Sequence, residues 1–131
     1  MTGAEWMDLT VLERKKYNDL SEALDLTGQI GEALDRSDQV SVRMLVAMRQ
    51  DPIRHLEEIN QTALDRRESL AEEDQERVRA LLAGAEGRTA EERLFLEQVQ
   101  KARRLLERVV ELDRRLNRRM AGDGSFYAKE E

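Results

Sequence analysis

The stretch Ala90–Met120, AEERLFLEQVQKARRLLERVVELDRRLNRRM, decides the fold of this chain. Wound as a helix, it gathers Leu94, Phe95, Val99, Ala102, Leu105, Leu106, Val109, Val110, Leu112, Leu116 and Met120 on one arc of roughly 160°, with the arginines opposite. Thr89, followed three residues later by Glu92, supplies a capping box at its start, and Gly122, Asp123 and Gly124 end it. The reading predicts a helix from about Ala90 to Ala121, about 50 Å long at 1.5 Å per residue. An arc that wide exceeds a two-helix seam, so this helix must touch at least two neighbours, inside the fold or outside it. Asp113 lies within the apolar arc, where an unpaired carboxylate is costly, so it is expected to meet a basic partner or to sit near an edge.

The same three-and-four rhythm runs through the rest of the chain. A first helix is predicted from about Asp8 to Arg36, with Tyr17, Leu20, Leu24, Thr27, Gly31 and Leu34 as its seam and the small Thr27 and Gly31 leaving room for a close neighbour. The capping side chains of Arg36, Ser37 and Asp38 form a short turn, so the second helix, about Gln39 to Arg67, should fold back antiparallel. It carries Val42, Leu45, Met48, Ile53, Leu56, Ile59 and Ala63 toward the core. Pro52 removes a backbone donor and crowds the preceding turn, yet the rhythm continues on both sides of it, which favours one kinked helix over two. Ser69 with Glu72 reads as a second capping box, opening a short helix that stops at Gly84. The loop AGAEGR, which follows, is the one hinge the sequence offers.

The fold class is therefore all-α, an elongated antiparallel bundle of three long helices and one short one. Its bundle domain is expected over residues 1–121, and a flexible tail over 122–131. Composition agrees. In 131 residues the hydrophobic fraction is 40%, the charged fraction 38% and the aromatic fraction 4%, with a single proline, a profile of long charged helices rather than sheets or disorder. No stretch approaches the roughly 18 apolar residues of a membrane span, and MTGAEWMDLT lacks the basic and apolar regions of a signal peptide. Neither membrane insertion nor secretion is expected, and the protein should stay in the cytoplasm. The absence of cysteine excludes disulfides, thiolate catalysis and cysteine zinc sites.

Charge is uneven. Between Lys101 and Met120 the balance is +5, while the remainder carries −11. Such a basic run could meet nucleic acid, but a strongly acidic remainder repels phosphate, so the arginines are read as a solvated face that pairs with the chain's own acidic helices and no nucleic acid is expected.

Catalytic chemistry is sparse. A carboxylate-bridged metal pair in a helical bundle needs Glu-x-x-His on two helices, and His55, between Asp51 and Glu58, is the single histidine. A hydrolytic triad would need that same histidine, and no G-x-S-x-G elbow is present; GRTAEER lacks the lysine and spaced glycines of a phosphate loop. Neither a cofactor nor an enzymatic activity is expected. What remains is surface for protein partners. Met44 and Met48 stand one turn apart beside Leu45, suited to varied partners but more often core filler. Phe126 and Tyr127 lie beyond the last helix, where they form either a meaningless end, an element that docks on the bundle, or a short linear motif offering large area at low entropic cost.

Taken together, a first helix ending in GEALDRSD, a return through QVSVRMLVAMRQ, the segment SLAEEDQERVRALL and a long last helix closing on LNRRM before an aromatic tail resemble the FlgN-type flagellar export chaperones. The FliT-type chaperones of the same secretion apparatus are nearly as compatible. The resemblance implies a cytoplasmic type III export chaperone that binds hook-filament junction subunits, the hook-associated proteins, by laying an amphipathic helix in a groove. That groove is expected around Leu105, Val109, Val110, Leu112, Leu116 and Met120. It further implies that the segment holding Phe126 and Tyr127 docks on the export apparatus. A structural coiled-coil homodimer without a client is the competing reading.

Overall fold

In the computed structural model, which describes residues 1–122, four helices and no strand are present: α1 (Gly3–Asp35), α2 (Gln39–Glu68), α3 (Glu72–Leu82) and α4 (Ala90–Gly122). The start of α1 lies five residues earlier than the apolar rhythm implied. Thr2 and Glu5 close a reciprocal capping box there, the Thr2 hydroxyl accepting from the Glu5 amide at 3.1 Å and the Glu5 carboxylate from the Thr2 amide at 2.8 Å. The extension brings Trp6 into the core. At the other end Ser37 takes a left-handed φ of 57°, and Asp38 donates its amide to Ala33 at 2.9 Å while its carboxylate receives the Ser41 amide and hydroxyl. Those Ser41 bonds, side chain first, hold the Asp38 carboxyl below the usual range.

α2 runs as one element through Pro52, whose ring is buried. Its inward row is Val42, Leu45, Arg49 and Pro52, so an arginine takes the place that the apolar count assigned to Met48, which is 48% exposed. The expected box at Ser69 and Glu72 does not form. Ser69 closes α2, its hydroxyl donating to the Arg66 carbonyl, and Ala71 precedes α3 without a side-chain cap. α3 ends before Gly84, which takes φ 116°, a conformation that glycine adopts at no steric cost.

Pairings between helices give the layout. Asp8 meets Arg66, Asp19 meets His55 and Thr27 meets Arg49, so the partners step down α2 as they step up α1. On α4 they step up instead: Trp6 packs on Phe95, with ring centroids 5.6 Å apart, and Asp35 meets Arg119 at 2.6 Å. α1 is the central element, packed along its length against α2 on one flank and α4 on another, while no Cα of α2 comes within 8 Å of one in α4. The core divides into three clusters along the axis. Trp6, Leu9, Leu70, Val78, Leu81, Phe95 and Val99 close the base around α3; Leu20, Ala102 and Leu105 fill the middle; Leu26, Ile30, Ala33, Val42, Leu45, Leu116 and Met120 form the top.

The expected close approach at Gly31 is not what the glycines provide. A Cβ at Gly28 would meet nothing within 4 Å, and one at Gly31 only the Arg119 Nη1 at 3.9 Å. Both are glycines inside a helix with space for alanine, so Gly28→Ala and Gly31→Ala should each raise stability by about 0.8–1 kcal/mol, read as a higher urea midpoint at unchanged slope. Gly87→Ala provides the contrast, because its Cβ would sit 2.8 Å from Arg93 Cγ and 3.1 Å from the Arg93 amide, and it should lower the midpoint.

The loop between α3 and α4 is tied down rather than hinged. Arg77 donates to both carboxylate oxygens of Glu92, at 2.9 and 2.6 Å, and to the Glu86 carbonyl, while Glu92 also accepts the Arg88 amide at 2.8 Å. The Thr89 hydroxyl accepts the Glu92 amide, half of the expected box; the Glu92 carboxylate is engaged by the arginine instead. The bonds from Arg77 and then the Arg88 amide hold Glu92 well below an ordinary glutamate, at about 2, and the carboxylate raises Arg77 above its usual value. A carboxylate depressed in the folded state stabilises at pH above its unfolded value and loses that contribution as pH falls through the folded one. The contribution, about 2 kcal/mol, should therefore be complete above about pH 5 and be lost progressively as the pH falls toward and below about 2. Glu92→Gln should flatten this part of the stability–pH curve, measured by urea unfolding at stepped pH.

Candidate functional site

The apolar arc of α4 is shared among three environments. Leu105, Leu116 and Met120 are 6%, 4% and 0% exposed and belong to the middle and top clusters, so they are core rather than the open surface expected of them. The reason is the packing against α1: Leu20 shares the middle cluster with Leu105, and Leu26, Ile30 and Ala33, together with Val42 and Leu45 of α2, enclose Leu116 and Met120 in the top one. Val109 is half-buried against the middle cluster, and Leu112 is half-buried at the edge of a groove with Leu24 of α1. Val110 stays open at 38% exposure, and Leu106, which the predicted set omitted, is open at 43%. Phe126 and Tyr127 lie outside the described residues.

Leu106 and Val110 are exposed because α3 is short. Successive positions three and four apart share one face of a helix, which places Val99, Arg103, Leu106 and Val110 in a row. α3 covers the beginning of that row. Val78 and Leu81 join Phe95 and Val99 in the base cluster, and the Arg103 guanidinium donates to the carbonyl of Leu82, the last residue of α3, at 2.9 Å. Beyond Leu82 the chain turns back to begin α4, and the row continues without a cover. An α2 of 30 residues lies on the other side of this opening, but its backbone stays more than 8 Å away.

What fills the floor of the opening is polar. Arg49, 8% exposed, reaches from α2 across α1 to α4: its Nη1 donates to the Thr27 hydroxyl at 3.1 Å and to Asp113 at 2.8 Å. Thr27 in turn donates to the Ala23 carbonyl at 2.7 Å. Asp113 thus finds the basic partner its place in the apolar arc required. The Arg49 Nε is buried without a partner, so the bridge is not fully satisfied. Arg49 is one of several inward residues, with Thr10, Glu92 and Gln98, that counting apolar positions could not find. The signal was its place at the three-to-four step between Leu45 and Pro52.

The basic face of α4 pairs with the acidic helices less than its charge suggested. Arg119 meets Asp35, Lys101 and Arg115 pair within their own helix with Glu97 and Glu111, and Arg104 and Arg108 form no ion pair among the described residues. His55 is 60% exposed and 3.7 Å from Asp19. Among the described residues no group of three or more acidic or histidine side chains could hold a metal ion, and no helix is long and apolar enough to cross a membrane. Compared with protein-family models, with curated proteins and with solved structures, the chain finds no match.

Proposed function

We propose that this chain is a cytoplasmic flagellar type III export chaperone, and that it lays the amphipathic terminal helix of a hook-filament junction subunit along α4 beyond α3. The supporting observation is the row Val99, Arg103, Leu106, Val110, which α3 covers at its start and leaves bare afterwards. In this proposal the fold is an elongated bundle with antiparallel neighbours, a layout that the order of pairings between α1 and α2 supports, while α4 runs beside α1 in the same direction. The client helix continues the path of α3 between the two outer helices, anchored every three or four residues. The segment holding Phe126 and Tyr127 is the element that docks on the export apparatus. Calorimetric titration with the terminal helices of junction subunits should give a one-to-one complex, and a Leu106→Asp/Val110→Asp double variant should weaken it at least about a hundredfold. Undiminished binding by that variant would remove the client from this face.

A homodimer is favoured by a different observation. Val40, Met44 and Met48, at 79%, 55% and 48% exposure, follow one another by four residues on the outer side of α2. In this second reading they form a coiled-coil contact, and light scattering at low micromolar concentration separates it from a monomeric chaperone.

A further inference from the structure

A second groove runs between α1 and α4 on the side of α4 away from Leu106 and Val110. At its lower end, a depression of about 540 Å³ is bordered by Arg14 from α1 and by Lys101, Arg104 and Arg108 from α4, over a floor that includes Tyr17 and Leu105. No carboxylate lines it. Arg14, Arg104 and Arg108 have no ion-pair partner among the described residues, and Lys101 has only Glu97, 3.4 Å away at an exposed position. This stands out in a chain of net charge −6, where internal carboxylates are plentiful. Higher up, the groove changes character as Glu22, Asp25, Glu32, Glu107 and Glu111 enter its walls, with Arg104 and Arg108 at the boundary between the two parts.

We infer that the lower end of the α1–α4 groove is a docking site for a short acidic segment of a partner protein. Charge complementarity and dimensions carry the assignment. Arg104 and Arg108 lie one turn apart, about 6 Å along the axis, and Lys101 to Arg108 spans about 10 Å. Two carboxylates one helical turn apart in the occupant match that spacing, and an apolar or aromatic side chain between them meets Tyr17 and Leu105. A nucleic acid fits poorly, because the basic stretch is short and the acidic remainder of the chain repels an extended phosphate backbone. A lipid surface fits poorly too, since the cations border a depression rather than a convex face. The inference does not depend on the proposed export function, because it concerns the other flank of α4.

The test uses the full chain and a fluorescein-labelled peptide of about 12 residues with Leu and Glu at helical spacing, beside a twin with Gln for every Glu. Fluorescence anisotropy at low salt should show the Glu peptide binding at least about tenfold tighter than its twin, the preference shrinking as salt rises. Arg104→Ala/Arg108→Ala should abolish the preference while leaving helical content and urea midpoint unchanged, and Leu106→Asp/Val110→Asp should leave it intact. Equal binding of the two peptides overturns the inference. So does displacement of the Glu peptide by anionic vesicles or a short RNA duplex at lower concentration, which would reassign the site to lipid or nucleic acid. A chain lacking residues 123–131 that binds the peptide more than about tenfold tighter would assign the groove to the chain's own end and overturn the partner.

Discussion

Asp113→Ala loses about 2–3 kcal/mol of folding free energy, and Arg49→Met loses little or gains up to about 2 kcal/mol. The asymmetry follows from burial. Arg49 is 8% exposed, whereas the Asp113 side chain keeps 39% of its surface in water. Removing the carboxylate strands a buried guanidinium whose Nη1 retains only the Thr27 hydroxyl and whose Nε already lacks a partner. Removing the guanidinium leaves an aspartate that water can solvate, and methionine refills the space over α1 with an unbranched apolar chain. In the Arg49→Met background the cost of Asp113→Ala should fall below about 0.5 kcal/mol, because the charge it stranded is gone. Urea unfolding of the four proteins gives the cycle. Equal costs for both single changes would mean that the bridge acts through packing rather than charge.

Phe95→Ala loses more, about 3–5 kcal/mol. Phe95 is 2% exposed and tilts at 54° against Trp6 in the base cluster, where α1, α3 and α4 meet Leu70 from the turn after α2. The surrounding Trp6, Leu9, Val78, Leu81 and Val99 are each held on a helix of their own, so they collapse only partly into the space that the ring leaves. The loss should appear in thermal unfolding as a lower midpoint. Hydrogen exchange should rise first in α3, which owes its place to Val78 and Leu81 in this cluster and to the Arg77–Glu92 bridge. A change confined to α3, with global stability intact, would instead make the base a separate cooperative unit.

Much of this architecture can be read from apolar spacing. The last helix and the turn at Arg36 to Asp38 follow directly from periodicity and capping side chains. The rule failed where inward positions are not apolar or where apolar ones are not inward. Arg49 takes an inward place because a long cation can reach both a hydroxyl on α1 and a carboxylate on α4, a three-helix relation that no single window of sequence contains. Met48 is displaced by one position and faces water. Trp6 lay outside the predicted first helix because the rhythm begins at Asp8, although Thr2 and Glu5 carried the signal. In α4 the sequence identified which residues are apolar, but which of them stay bare depends on where a different helix stops. α3 ends at Leu82, so Val99 is covered while Leu106 and Val110 are not.

α4 keeps a bare apolar row beyond α3 in the lone chain, and the proposed function has a partner helix cover it. Methyl NMR with a soluble paramagnetic agent measures this directly on Leu106 and Val110 in dilute protein. The methyl groups of Leu106 and Val110 should relax strongly, as that of the exposed Met44 does, those of Leu105 and Leu116 should be protected, and protection of Leu106 and Val110 should appear when a junction-subunit helix is added. Protection of Leu106 and Val110 in the lone chain, before any partner is present, would contradict the bare row.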